Sequence, residues 1–405
     1  MEDYGVRFGS QLICNIIDKN SGLLGYIVID STVNGHSCGG LRMLPDVSIS
    51  ELQGLARVMT LKFSFLGMNE GGAKAGIVAD PSMPQEEKLA LFRAFAEIAS
   101  PLLKTHAYVP ASDMGTTNQE IRYMLESVGL KVPQNNVGTK ENGEFYVALS
   151  VFAGVEAAAK YIDLDLSHST LAIEGFGKVG SSVARVFSQK GTKVVAISTV
   201  KGAIYNPDGL DVDRLIRIKN EVGEDVVNIY KEAKVIDNSE LLTLDVDILS
   251  PCARHHSINL KNVEKIRADI ISAGANIPVT RQAAQVLYWK GRLYLPDFVT
   301  NCGGILGSNM ERAGLNVNFI KNFIIREIDK KISEIIEDSQ KKNLSPGEIA
   351  EIEAEKKFLR REARCKEKTA KSRLFNFALR VYKKNLIPKC FVKVYAPRYF
   401  KAMLR

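Results

Sequence analysis

Apolar positions follow two rhythms along this chain, and the rhythm changes mark its elements. Residues 23–30, LLGYIVID, are a run of aliphatic and β-branched side chains that predicts a strand. Gly39-Gly40 reads as a break in the chain. Over 48–67 the spacing turns helical, with Leu52, Leu55, Ala56, Met59, Phe63 and Leu66 on one side and Ser48 or Ser50 as the N-cap. A short strand over 75–81 ends at Pro81, and amphipathic helices are expected over 84–103 and 116–128. To about residue 135 the pattern describes an α/β unit.

The polar, glycine-containing stretch 137–145 reads as a linker, followed by an alanine-rich helix over 146–161. Strands and helices then alternate. Strands are expected at STLAIE (169–174), KVVAIST (193–199), DVDILSP (245–251), ADIISAGA (268–275) and LYLPDFV (293–299). Helices are expected over 178–190, 211–220 and 279–290. Such alternation predicts a parallel, doubly wound sheet. After residue 308 the pattern becomes long helix, and no solenoid period recurs. The expected fold class is therefore α/β with two domains and a C-terminal helical extension. The expected boundaries are 1–136, 137–308 and a helical segment 309–405 that packs back.

Charge adds one feature to this picture. The net charge is +8, but residues 341–405 hold 19 basic and 6 acidic side chains, so the rest of the chain is mildly acidic. The basic tail interleaves aromatics with Lys and Arg. It suits an anionic membrane or a nucleic acid, but packing on the body or on a neighbouring subunit is the favoured expectation. No apolar run is long enough to span a bilayer, and the N-terminus has no signal-peptide pattern. The six cysteines form no CxxC pair, so a reduced, cytoplasmic setting is expected and no metal site is. The neighbours His255 and His256 read as loop residues rather than ligands.

Two stretches carry candidate chemistry. The first is Gly175-Phe176-Gly177-Lys178-Val179-Gly180, after a strand and before a helix, which would set a pyrophosphate at a helix N-terminus. Gly175 would make the turn, Gly177 would admit the phosphate, and Gly180 would pack helix on strand. A tight turn that binds nothing is the plain alternative. No acid stands between Glu174 and Asp208 to hold a ribose, and the strand ends Ser198-Thr199-Val200-Lys201. Hydroxyls and a lysine lean toward NADP over NAD.

The second stretch is EGGAKAGI (70–77), a lysine set among glycine and alanine. Lys74 in such a bed would lose hydration, and its pKa would fall toward that of a base. A second lysine nearby, Lys62, would push it the same way, and Asp113 could shuttle a proton. Taken singly, each could be a surface charge, and Asp113 could cap a helix starting at Thr116.

Eight segments in order give a resemblance. They are GGLRM (39–43), MTLKFSFLGMNEGGAKAGIVADP (59–81), ASDMGTT (111–117), EGFGKVG (174–180), KGAIYNPDGLD (201–211), DILSPCA (247–253), AGANIPVT (273–280) and PDFVTNCGG (296–304). Together they resemble the glutamate/leucine/phenylalanine/valine dehydrogenases, closest to the leucine-type branch. The resemblance implies a substrate and oligomerisation domain, a Rossmann domain, a cleft that closes between them, and a homo-oligomer. It implies reversible oxidative deamination of an L-amino acid to a 2-oxo acid and ammonia with NAD or NADP. It gives Lys74 the activation of water, Asp113 proton transfer at the amino group, and Lys62 the substrate carboxylate. Met59 would line the substrate site, and Gly39, Gly40 and the 71–76 bed would leave room for substrate. Ala273, Asn276 and Asn301 fall at coenzyme positions.

The departures refine this. Cys38 stands where glutamate dehydrogenases have a lysine for the side-chain carboxylate, and Ser308, at a position touching the same group, cannot replace a cation. An apolar amino acid is therefore expected, with glutamate as runner-up. Val147 and Ser150 stand where a TxxG pattern usually holds the nicotinamide amide. Two rivals follow: a family member that has lost turnover and binds or regulates, and an enzyme that turns the same imine chemistry to another end.

Overall fold

The computed structural model describes residues 9–132, 143–366 and 389–404. These fall into two units. The first takes the described chain up to residue 132, Arg312–Gly314 and the part from Glu353 onward; the second takes 143–311 and 315–352.

The first unit is built on a five-stranded sheet with order β1-β2-β4-β3-β5. Its strands are β1 (Leu12–Asp18), β2 (Leu23–Ile29), β3 (Ser37–Met43), β4 (Gly71–Ile77) and β5 (Val109–Ser112). β1 and β4 run antiparallel to β2, and β3 runs parallel to β4 and β5. The helices are α1 (Ile49–Leu66), α2 (Gln85–Lys104) and α3 (Asn118–Ser127). Ser48 is the cap of α1, its hydroxyl accepting from the Glu51 N–H at 3.3 Å. Thr117 and Glu120 form a capping box on α3, so Asp113 is released from that task.

Gly39-Gly40 does not break the chain: both lie inside β3, and the EGGAKAGI stretch is itself strand β4. The reason is packing. A Cβ at Gly72 would overlap backbone and side-chain atoms of Thr60 and the Ala56 carbonyl on α1, and one at Gly39 would overlap the Ala73 carbonyl. Bare backbone lets helix and strands approach closely.

The second unit holds a seven-stranded sheet, β12-β11-β10-β6-β7-β8-β9. The strands are β6 (Thr170–Glu174), β7 (Lys193–Thr199), β8 (Gly202–Tyr205), β9 (Lys234–Ile236), β10 (Ile248–Pro251), β11 (Ile270–Ile271) and β12 (Leu293–Tyr294). β12, β11, β10, β6 and β7 are parallel, as a doubly wound sheet requires. β8 and β9 form an antiparallel edge absent from the pattern reading. The helices are α4 (Gly143–Tyr161), α5 (Lys178–Gln189), α6 (Val212–Val222), α7 (Val226–Ile229), α8 (Asn238–Leu241), α9 (Arg281–Trp289), α10 (Asp297–Thr300), α11 (Gly303–Arg312) and α12 (Val317–Lys342). α4 begins at Gly143, inside the stretch read as a linker; residues 137–142 lie outside the described residues. LYLPDFV is a strand only at Leu293–Tyr294, because Asp297, whose carboxylate receives the Ile277 N–H at 2.7 Å, starts a helical turn after Pro296.

Two further helices are α13 (Pro346–Lys366) and α14 (Lys389–Leu404). From Glu353 onward they belong to the first unit. Residues 367–388, which include much of the aromatic-basic tail, lie outside the described residues. Among the described residues no helix is long and apolar enough to cross a membrane.

Candidate active site

In the first unit β4 carries Lys74 and the end of β5 leads to Asp113. The Lys74 Nζ lies 2.7 Å from Asp113 Oδ2, with the lysine side chain 4% and the aspartate 18% exposed. Arg42 on β3 donates from Nε to the same Oδ2 at 3.0 Å and pairs with Glu51 on α1. A Cβ at Gly40 would come within 2.7 Å of Asp113 Cβ and 3.1 Å of Lys74 Nζ. Gly40 therefore keeps space beside the pair, while Gly39, Gly71, Gly72 and Gly76 face atoms of the protein itself and leave no room for a ligand.

Burial lowers the Lys74 pKa, the Asp113 charge opposes this, and Arg42 adds to the lowering. Arg42 is thus a second cation beside Lys74. Burial alone would raise the Asp113 carboxyl, but Lys74 and Arg42 outweigh it and hold it at about 2. Lys62 is buried on α1, where Met59 is half-buried. Cys38 is a free, half-buried thiol pushed up to about 12, by burial first and then by the Glu70 charge, against an opposing effect of Arg312.

In the second unit Gly175 has φ 87°, a turn conformation that only glycine adopts freely, and a Cβ there would meet Ala253. Gly177 caps α5 and has nothing within 4 Å of an added Cβ, so the helix N-terminus is open. A Cβ at Gly180 would overlap the Gly175 carbonyl, so Gly180 packs helix on turn. Phe176 is buried, Lys178 is exposed, and Val179 packs against Gly274.

Ser198 and Thr199 have partners within the protein. The Ser198 hydroxyl accepts the Gly175 N–H at 2.9 Å. The Thr199 hydroxyl donates to the Glu224 carbonyl at 2.8 Å and accepts the Lys201 N–H at 3.1 Å. Both are buried and help hold the turn together, and Lys201 is exposed. The Asn301 Nδ2 donates to Asn276 Oδ1 at 3.0 Å and to the Ala275 carbonyl at 2.9 Å, while Ala273 offers its carbonyl to Thr300. Asn301 Oδ1 is buried without a hydrogen-bond partner. An open helix N-terminus and an orphaned acceptor are features that fit a dinucleotide.

Ser308 is half-buried on α11. Ser150 accepts the Gly303 N–H at 3.0 Å and donates to the Val147 carbonyl at 2.9 Å, so its hydroxyl ties α4 to α11. Val147 sits where a Cβ on Gly304 would come within 2.9 Å of it. Among the described residues no three His, Cys, Asp or Glu side chains gather as metal ligands.

Three groups escaped the sequence reading. Arg42 lay inside the quoted GGLRM, but nothing marked it as buried. Lys219, 43 residues from Phe176 in sequence, donates to the Phe176 carbonyl in the glycine turn. Glu174 ends β6, accepts from Ser257 at 2.8 Å, and is raised by burial to about 7.

Comparison with known proteins shows the family. Residues 144–367 match the Glutamate/Leucine/Phenylalanine/Valine dehydrogenase family, and residues 11–129 match its N-terminal dimerisation domain. The NAD-specific glutamate dehydrogenase A of Halobacterium salinarum is 35% identical over 298 residues, 71% of this chain and 68% of that protein. The glutamate dehydrogenase of Thermotoga maritima is 34% identical over 299 residues, 71% of each. In fold, the chain is similar to the hetero-hexameric glutamate dehydrogenase of Thermus thermophilus in its Leu-bound form, with TM-score 0.75 and 23% identity over 87% of this chain and 89% of that one. It is also similar to the L-tryptophan dehydrogenase of Nostoc punctiforme, with TM-score 0.60 and 24% identity over 89% and 97%.

Proposed function

Because the chain belongs to the glutamate/leucine/phenylalanine/valine dehydrogenase family, we propose that it oxidatively and reversibly deaminates an apolar L-amino acid with NAD or NADP. The observation that carries this is the buried Lys74–Asp113 pair at 2.7 Å, with Arg42 on the same carboxylate. Bound nicotinamide would supply the acceptor for the α-hydrogen as hydride. Every proton falls to the chain. Asp113, kept ionised by Arg42 while Lys74 is neutral, takes a proton from the substrate ammonium. Lys74, with its proton loosened by burial, is the base that activates water at the α-carbon of the imine; Asp113 returns its proton to the nitrogen, and the C–N bond breaks to release ammonia as the 2-oxo acid forms. Lys62 receives the substrate carboxylate. Gly177 and the N-terminus of α5 receive the coenzyme pyrophosphate, and Asn276 and Asn301 its nicotinamide end.

Cys38 supports the apolar side chain. Its thiol is neutral at working pH, and the Glu70 charge acts on it more strongly than that of Arg312. A neutral thiol offers a second substrate carboxylate no charge partner of its own. A glutamate substrate is the second reading, favoured by Arg312 as a cation acting at Cys38 and by the names of the relatives. The match to a dimerisation domain supports a homo-oligomer, for which the outer edge of the first sheet is the candidate face.

The test is coenzyme reduction against a panel of L-amino acids, with NAD and with NADP. Turnover of leucine, valine or phenylalanine is expected, and Lys74→Ala should cost about 10²–10⁴-fold. Turnover of glutamate alone would replace the apolar reading. No turnover with any amino acid would sink the enzymatic one.

A further inference from the structure

Lys357 on α13 stands where two helices end. Its Nζ donates to the Phe65 carbonyl at 3.1 Å, near the end of α1, and to the Leu404 carbonyl at 3.0 Å, the end of α14. It also pairs with Glu353 at 3.1 Å, and the lysine side chain is 12% exposed. The last carbonyls of a helix lack intrahelical partners and carry the negative end of its dipole. One cation thus closes two such ends.

The approach is tight. α1 terminates at Gly67 in the left-handed region, with φ 74°, and the Met68 N–H returns to the Phe63 carbonyl at 2.8 Å. A Cβ on Gly67 would overlap the Met403 carbonyl of α14, so glycine is required there twice over. α14 buries Ala396, Phe400, Met403 and Leu404. A second tie runs from Glu355 to Arg57 on α1 at 2.6 Å. Residues 368–404 lie beyond both family matches.

We infer that α13 and α14 form an intramolecular clamp, closed by Lys357, that holds the C-terminal half of α1 and with it Lys62 in the pose that receives the substrate carboxylate. The inference rests on the substrate role proposed above for Lys62. Lys62 lies one turn before Phe65, so a shift of the helix end carries directly to it. Lys357 is a positioning residue, acting through α1 and touching no substrate.

The test compares Lys357→Met and Lys357→Arg with the unaltered protein. Lys357→Met should raise KM for the amino acid about tenfold, as for one lost hydrogen bond to a charged group, with kcat and the coenzyme Kd within about twofold. Lys357→Arg should restore KM. Should Lys357→Met fail to fold, Glu355→Gln, which loosens only the Arg57 tie, should raise KM in the same direction. A lowered Tm with KM unchanged would make the clamp a mere brace and overturn the inference. Hydrogen exchange over residues 57–66 separates this from the fate of the enzymatic reading, because it needs no turnover. Exchange there should quicken about tenfold in Lys357→Met. Unchanged exchange overturns the clamp even if no amino acid is turned over.

Discussion

Arg42 controls how basic Lys74 can be. Its guanidinium lies on the Asp113 oxygen that Lys74 also uses, and its positive charge lowers the Lys74 pKa. Lys74 acts as a base only when neutral, so kcat/KM should rise with pH as that proton leaves, along a limb below the ordinary lysine value of 10.5. Removing the cation with Arg42→Met should move the limb to higher pH, because burial then acts on Lys74 without its helper while Asp113 still opposes it. A pH–rate profile of both proteins decides this, and a limb that stays or moves down would contradict the assignment. Lys74 and Asp113 were legible in the sequence because each stands in a segment of recognisable order. Arg42 was not, because its meaning depends on β3 lying beside β4 and on Asp113 closing over both, a conjunction that no local pattern encodes.

Two glycines show why elements were unevenly legible. The strand–helix alternation of the second unit follows ordinary propensity, so β6, β7 and α5 fall where aliphatic runs and the glycine turn place them. In the first unit β4 reads Gly-Gly-Ala-Lys-Ala-Gly-Ile, against strand propensity, because α1 packs on its bare backbone. Packing overrode propensity there, and β3 and the short β5 have no sequence signal beside it. Gly72→Ala should therefore push α1 from the sheet and destabilise the protein by about 1–3 kcal/mol, seen as a lower Tm. Gly177→Ala should leave Tm unchanged, since φ there is −74° and nothing lies within 4 Å of the added methyl, yet weaken coenzyme binding in a fluorescence titration. Equal Tm losses in the two variants would refute the distinction. Unweakened coenzyme binding in Gly177→Ala would remove this turn from the coenzyme site.

At the scale of the whole molecule, one face of the first unit is apolar and exposed among the described residues. β1 is an edge strand, pairing with β2 among the described residues. Its alternate residues Ile13 and Ile17 are 43% and 56% exposed, and Leu24, the cross-strand partner of Ile17, is 37% exposed. A long edge with apolar side chains facing water invites pairing, and proteins that keep such an edge single usually blunt it with charge or proline. β1 contains no proline and a single charge, Asp18 at its end, so its apolar face is suited to being covered. A second copy of the chain is the covering partner that the dimerisation-domain match supports. Light scattering during gel filtration should give a mass well above the 44.7 kDa of one chain. The double variant Ile13→Lys/Ile17→Lys should fall toward 44.7 kDa with its secondary structure intact, because neither side chain helps fill the core of its own subunit. An unchanged mass in that variant would place the subunit contact on another face and leave β1 facing water. In that case the variant should at least reduce aggregation, since the same exposed edge would then be a liability rather than an interface.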